Sequence, residues 1–217
     1  MNINIPLLLK RFCKPALLMF IVIIPSGCAS VVIGAGATLG TAAMEERSLK
    51  TITADTALAT KIRFAIVEKD NQLAVQVGVE VFENQALLTG IVPDEKARAR
   101  AIKLAWSAGT PKAIFNEIQI GDSSVVNFSK DSWATASLTS KLTFDEDVLS
   151  INYSIETVNG TVYLMGVAQN QQELDRVIAH ARTISYVQNI ITHVRIKPPG
   201  SAPPKPPASM PPKTKAS

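Results

Sequence analysis

The chain repeats itself with a constant offset of 76 residues and no gap, so any fold assigned to one half must also suit the other. The matched positions are Asp55 and Asp131, Ile62 and Leu138, Ile66 and Leu142, Val77 and Tyr153, Val79 and Ile155, Gly90 and Gly166, Ile114 and Ile190, and Ile120 and Ile196. A fixed period is the signature of duplicated structural units. The sequence therefore predicts two tandem modules, at residues 54–121 and 130–197.

The first two elements of each copy follow from the spacing of apolar residues. A stretch with helical spacing comes first, and Asp55 and Asp131 stand near its start, where a carboxylate can cap free backbone amides. Strict alternation of apolar and polar residues then begins at Val75 in the first copy and at Ile151 in the second. Period two predicts a half-buried strand after the helix.

A hairpin joins this strand to a second one. Asn159-Gly160 suits the positive φ angles of a type I′ turn, and Glu83-Asn84 holds the same place in the first copy. The second strand contains a glycine in both copies, Gly90 or Gly166. A glycine inside a strand predicts either a bulge or a close approach of helix backbone to the sheet.

A second helix and a third, alternating strand complete each copy. The helix runs from Glu95 to Ala108 in the first copy, and Asn170 with Glu173 forms a capping box in the second. The predicted fold class is α+β, with each module a small three-stranded mixed sheet carrying two helices on one face, in the order αββαβ. Because a unit of about 70 residues has a thin core, we expect the modules to pack against each other.

The N-terminal region reads as a secretory signal that ends in a lipoprotein motif. A basic start precedes the apolar run Ala16 to Ile24, and small residues followed by Cys28 are typical of bacterial lipoproteins. Pro25 departs from that pattern, which prefers leucine. We predict a signal peptide at residues 1–27 and lipidation of Cys28.

The residues after Cys28 bear on location. The stretch 28–53 is rich in glycine and alanine and predicts a flexible spacer. Ala29 stands where an inner-membrane retention signal needs aspartate, which indicates the outer membrane of a diderm bacterium. The tail, residues 198–217, is proline-rich and is expected to be extended and mobile.

Two alternatives to lipidation remain open. No charged residue occurs from Pro15 to Met44, and an apolar stretch longer than about 18 residues can span a bilayer as an inner-membrane anchor. Proline and glycine make this stretch a poor helix in terms of propensity. Cleavage near Ala29 or Ala37 would instead release a soluble, secreted protein.

Charge and residue content exclude several functions. Removing Lys10, Arg11 and Lys14 with the signal reduces the net charge from +4 to +1, which argues against nucleic acid as a partner. Cys13 leaves with the signal and Cys28 is acylated, so we expect no thiol chemistry and no cysteine metal site.

Nothing in the sequence indicates catalysis, and we expect no enzyme, no cofactor and no metal. His180 and His193 occupy polar positions of their elements and are expected at the surface. The stretch 145–147, Asp-Glu-Asp, lacks the alternating ligands and glycine of a calcium loop and is expected to be a solvated turn.

The two modules resemble the BON domain. The resemblance rests on Leu88-Thr89-Gly90-Ile91-Val92 and Leu164-Met165-Gly166-Val167-Ala168, on a following helix, and on the closing stretches 113–120 and 187–196. Together with the lipoprotein motif, the spacer and Asp131-Ser132-Trp133, they make the chain similar to the dual-BON outer-membrane lipoproteins. The proline-rich tail is not part of that pattern.

This resemblance implies a non-enzymatic lipoprotein on the inner leaflet of the outer membrane, facing the periplasm. It implies binding of anionic phospholipids through the second module, support of envelope integrity and cell division, and association with the outer-membrane protein assembly machinery. In that family the first helix of the second module carries the lipid contact, with an early tryptophan that matches Trp133.

Helical geometry places other residues near Trp133. Ser137, Ser140 and Phe144 share its side of the helix, turned about 100 degrees from the apolar stripe, and Lys141 lies on an adjacent side. An aromatic off the buried stripe is available to a membrane interface. The alternatives are that Trp133 packs against the other module or its own, and that the protein is an adaptor that binds other proteins, with its acyl chain as the only membrane contact.

Overall fold

The computed structural model describes residues 47–122 and 127–198, together with Gly200. The predicted signal peptide, Cys28, most of the spacer, and the proline-rich tail apart from Pro198 and Gly200 lie outside the described residues.

Module 1, the first repeat, contains α1 (Leu49–Lys69), α2 (Asn71–Gln76), β1 (Val77–Phe82), β2 (Gln85–Val92), α3 (Glu95–Ala108), β3 (Ala113–Asn116) and β4 (Gln119–Ile120). β1 is antiparallel to β2, and both β3 and β4 are parallel to β2. The third predicted strand is thus interrupted, and the N–H of Glu117 donates to the carbonyl of Leu88 at 2.8 Å within the interruption.

Module 2, the second repeat, contains α4 (Phe128–Thr143), a 3₁₀ turn (Ser150–Asn152), β5 (Tyr153–Val158), β6 (Thr161–Ala168), α5 (Gln171–Arg182) and β7 (Asn189–Ile196). β5 is antiparallel to β6, and β7 is parallel to β6 along its whole length. This architecture confirms the predicted α+β class with two tandem mixed sheets.

The predicted start of the first strand in each module is wrong. Val75 lies in α2 and is 85% exposed, because the side chain of Asp70 accepts a hydrogen bond from the N–H of Leu73 at 3.0 Å and caps a helical turn there. Ile151 lies in the 3₁₀ turn that precedes β5. The helix α1 also begins earlier than expected, at Leu49, five residues inside the predicted spacer.

The two long helices of each module cover one face of its sheet and form its core. The core of module 1 consists of Leu58, Ile62, Ile66, Leu73, Val77, Val79, Ala86, Leu88, Val92, Ala97, Ala101, Ala105 and Ile118. The core of module 2 consists of Ala134, Leu138, Leu142, Val148, Val162, Leu164, Val177, Ala181 and Ile184. Residues two apart on β2 and β6 contribute to these cores, as expected for the helix-covered face of a strand.

The other faces of the two sheets pack against each other. Their contact cluster consists of Phe82, Leu87, Ile91, Val158, Tyr163, Met165 and Val167. Within the described residues, the two modules therefore form four layers, with the sheets inside and the helices outside. This arrangement confirms that the modules pack together and removes one face of each thin module from water.

The contact between the sheets has approximate two-fold symmetry. Equivalent positions of the repeat meet, because Glu117 forms a hydrogen bond with His193 at 2.9 Å, and these residues are 76 apart. Ser154 donates to Glu80 at 3.5 Å, and the equivalent Gly78 lies against Glu156. One contact between residues 80 and 154 is thus repeated between the equivalent residues 156 and 78. Such repetition is characteristic of an isologous interface, in which the same surface of both partners is used.

Asp55 and Asp131 do not cap their helices, so that prediction is wrong. The helix N-caps are Ser48 and Asn127. Both aspartates are buried and accept hydrogen bonds from the backbone N–H groups of the hairpin turns, which for Asp131 are those of Asn159 at 2.9 Å and Gly160 at 3.0 Å. Each aspartate thus ties the first helix of its module to the hairpin.

We expect Asp131→Asn to lower the free energy of unfolding by about 1 to 2 kcal/mol, because an amide replaces a charged acceptor of two backbone hydrogen bonds. Urea unfolding followed by circular dichroism measures the change. Asp175→Asn, on the exposed side of α5, is the matched control and is expected to change it by less than about 0.5 kcal/mol. Equal losses in the two variants would refute this role of Asp131.

Candidate functional site

The solvent-facing side of α4 carries large apolar side chains. Trp133 is 55% exposed, Phe144 is 84% exposed and Phe128 is 73% exposed. The opposite side of the helix buries Ala134, Leu138 and Leu142. Three aromatic rings on one exposed helix are a costly arrangement in water, and such rings are favoured at a membrane or protein interface.

Trp133 and Phe144 stand on the same side of α4, three turns apart, with Ser137 and Ser140 between them. Ser137 is partly buried, whereas Ser140 and Lys141 are exposed. We call the exposed set Phe128, Lys130, Trp133, Ser140, Lys141 and Phe144 the α4 surface.

Trp133 does not pack against module 1. Module 1 lies against the face of the second sheet that α4 does not cover, and the cluster between the modules does not include Trp133. The α4 surface therefore belongs to an outer layer of the molecule and is accessible to a flat partner.

Phe128 was missed by the sequence analysis. The predicted helix began near Asp131, but α4 begins one turn earlier because the side chain of Asn127 accepts a hydrogen bond from the N–H of Lys130 at 3.2 Å. An asparagine before a helical stretch is a capping signal. Reading Asn127 as the N-cap would have placed Phe128 in the first turn.

Two lysines flank the aromatic residues of the α4 surface. Lys141 has no ion pair within the described part of the chain, and Lys130 lies 5.8 Å from the ring centroid of Tyr186. Both lysines are exposed. The surface thus combines apolar and cationic groups.

The acidic stretch that follows α4 is largely neutralised by α5. Asp145 forms a 2.6 Å hydrogen bond with His180, which holds the pKa of Asp145 below its ordinary value, and Arg176 pairs with both Asp145 and Asp147. Glu146 and Asp147 are exposed in a turn, as expected, whereas Asp145 is partly buried. The pairing with α5 weakens the negative field beside Lys141.

His193 is not at the surface, contrary to the sequence analysis. Its ring stacks on Phe115 with centroids 4.1 Å apart, and only 17% of its side chain is exposed. The side of β7 that carries His193 faces the sheet of module 1, to which Phe115 belongs. Alternation identifies a polar face but does not say what lies against that face.

A pair of carboxylates also lies between the modules. Glu80 and Glu156 are equivalent residues of the repeat, and burial raises the pKa of each. The pKa of Glu156 reaches about 7, because of burial first and the charge of Glu80 second. Arg63 lies 3.0 Å from Glu80 and offsets part of that effect.

Within residues 47–122 and 127–198 there is no group of three or more side chains suited to hold a metal ion. None of the helices in these ranges combines the length and apolar character needed to cross a bilayer.

Comparison with known proteins identifies both modules. The model of the BON domain matches residues 54–122 and 130–198. Outer membrane lipoprotein DolP of Haemophilus influenzae is 32% identical over 182 residues, which cover 82% of this chain and 93% of that protein.

Two further relatives match a smaller share of the chain. The osmotically-inducible protein Y of Escherichia coli strain K12 is 25% identical over 146 residues, which are 66% of this chain and 73% of that protein. A protein of Anaplasma centrale described as "Uncharacterized protein in gshII 5'region" is 36% identical over 141 residues, or 61% of this chain and 93% of that protein.

Proposed function

Because the chain belongs to the BON-domain family and carries two BON modules, we propose that it is a non-enzymatic, lipid-anchored protein of the outer membrane that faces the periplasm and binds anionic phospholipid through α4. The likeness to an outer membrane lipoprotein over most of both chains supports the location. Acylation of Cys28, which lies outside the described residues, would supply the anchor.

The observation that carries this proposal is the exposure of Trp133 and Phe144 on one side of α4. Tryptophan rings are favoured at the level of lipid headgroups, and lysines beside them interact with lipid phosphates. Lys141 contributes only about 1 kcal/mol, so the α4 surface alone is a weak binder. Acyl chains on the same molecule raise the effective concentration of this surface at the bilayer.

Binding in this mode orients the protein on the membrane and keeps the paired sheets above the headgroups. Support of envelope integrity and of cell division, and association with the outer-membrane protein assembly machinery, are the roles that we infer for a protein held there. No catalytic step is part of the proposal.

We expect Trp133→Ala to weaken binding to vesicles that contain phosphatidylglycerol by about tenfold, because a large interfacial ring is removed. Co-sedimentation of the mature chain with Cys28→Ser, which has no acyl chain, measures the effect. Leu49→Ala, which removes another apolar side chain of 61% exposure, is the control and should bind as the parent does.

Equal binding by the Trp133→Ala and parent chains would contradict a lipid-binding role of α4. A photo-reactive residue placed at position 133 in cells then identifies what contacts this surface. Capture of a protein in place of lipid would favour the protein-binding adaptor, with the acyl chain as the only membrane contact.

A further inference from the structure

The outer helical layer of module 1 presents a second set of exposed aromatic and basic side chains. Trp106 is 48% exposed and Phe64 is 65% exposed. Lys61, Lys96 and Lys103 are exposed beside them. We call these five residues the Trp106 surface.

The residues of the Trp106 surface come from two helices that lie side by side. α1 and α3 run antiparallel, since Arg100 pairs with Asp70 at 3.1 Å while Leu58 lies against Gly109. On α3 the buried residues are Ala97, Ala101 and Ala105. Lys103 and Trp106 are on the opposite side of that helix, and Phe64 is opposite the buried stripe of α1.

The lysines of the Trp106 surface differ from the other cations of these helices. Arg98 pairs with Glu95, Arg100 with Asp70, and Lys69 with Glu68. Lys61, Lys96 and Lys103 have no carboxylate partner among the described residues. This layer therefore presents three lysines without carboxylate partners and two exposed aromatic rings. Such a layer is complementary to an anionic surface that has an apolar interior.

We propose that the Trp106 surface is a second binding site for an anionic lipid surface. An anionic bilayer fits both of its properties, because the lysines meet phosphates and the rings enter the headgroup region. Each lysine near such a surface strengthens binding by about fivefold. The α4 surface has the same combination of groups, on the equivalent layer of module 2.

The two surfaces point in opposite directions. Each helical layer covers the outer face of its sheet, and the sheets pack on each other between the layers. The two helical layers are on the order of 30 Å apart, so one flat bilayer cannot contact both. A molecule bound through both surfaces therefore joins two lipid surfaces, a consequence that rests on the proposed function of α4.

The test uses the mature Cys28→Ser chain and vesicles of phosphatidylcholine with or without phosphatidylglycerol. Dynamic light scattering measures vesicle clustering, and co-sedimentation measures binding. We expect clustering only with phosphatidylglycerol. Lys103→Glu should reduce clustering by about tenfold while leaving most binding intact through α4. Lys112→Glu, the same charge change at another exposed site of module 1, should leave clustering unchanged.

Fluorescence gives a second, independent measurement. The chain has two tryptophans, so Trp133→Phe leaves Trp106 as the reporter. Its emission should move to shorter wavelength when vesicles with phosphatidylglycerol are added, and Lys103→Glu should abolish the shift.

Each outcome is decisive for one of the two surfaces. The inference is overturned if the chain binds vesicles but neither clusters them nor shows a shift of Trp106 emission. It is also overturned if Lys103→Glu leaves clustering unchanged. Both results leave the role of α4 in place. Binding that survives Trp133→Ala but is lost in Lys103→Glu supports the Trp106 surface and overturns the role of α4. If Lys103→Glu reduces capture of an acidic protein but changes neither binding nor clustering of vesicles, the assignment of this surface to lipid is overturned.

Discussion

Gly166→Ala is expected to lower the free energy of unfolding by about 3 kcal/mol or more, because the fold has no room for a methyl group at this position. Gly166 has a φ of +154°, which L side chains rarely adopt, and an added Cβ would overlap the carbonyl oxygen of Asn152. That oxygen belongs to the backbone of the 3₁₀ turn before β5, so no side chain can move aside to relieve the clash.

Urea unfolding of Gly166→Ala and the parent chain measures this effect. Gly121→Ala is the matched control, because its Cβ would make ordinary contact at 3.4 Å with Ile91, and we expect a change within about 0.5 kcal/mol. Gly90→Ala should behave like Gly166→Ala, since Gly90 has a φ of +119° and meets the backbone of Gln76. If Gly166→Ala lowers the free energy of unfolding no more than Gly121→Ala does, the backbone of the preceding turn does not pack as closely against Gly166 as in this structure.

The second large effect is expected at Glu156. Its folded-state pKa of about 7 exceeds the ordinary value of 4.5, so the folded state favours the protonated carboxyl. The stability contributed by this group is fully present below pH 4.5 and is lost as the pH rises through 7. The charged groups that face it are Glu80 and Asp131, which raise its pKa, and Arg63, which lowers it.

Glu156→Gln is therefore expected to raise the free energy of unfolding at pH values above 7 by about 2 to 3 kcal/mol and to leave it little changed near pH 4.5. The neutral amide keeps the shape of the carboxyl but removes the charge that approaches Glu80. Urea unfolding of both chains across this range measures the difference, from which the contributions of groups common to both chains cancel.

Glu146→Gln is the control for charge alone, since Glu146 is exposed in the turn after α4. Its substitution should change stability by less than about 0.5 kcal/mol at every pH. A difference between Glu156→Gln and the parent that does not vary with pH, or a destabilised variant at high pH, would show that Glu156 does not carry a raised pKa at the module contact.

Local patterns predicted most of the elements because helix and strand periods depend on neighbouring residues alone. The helix from Glu95 to Ala108 is as predicted, with Asp94 as its cap. The prediction of a close approach at Gly90 and Gly166 also agrees with the structure, which places helical backbone against both glycines. The exposure of Trp133 was also predictable from the helical wheel, because the buried stripe of α4 determines which side of the helix faces water.

The sequence by itself determined the duplication, the α+β class and the order of the main elements, since these follow from spacing within each copy. Only the tertiary structure decided what the polar faces of the strands contact. Alternation of apolar and polar residues distinguishes the two faces of a strand but does not determine what packs against each face. The tertiary structure placed Glu80, Glu156 and His193 between the sheets and assigned Asp55 and Asp131 to distant hairpin amides. It also directed the helices of the two modules to opposite sides, since contacts between residues far apart in the chain depend on packing.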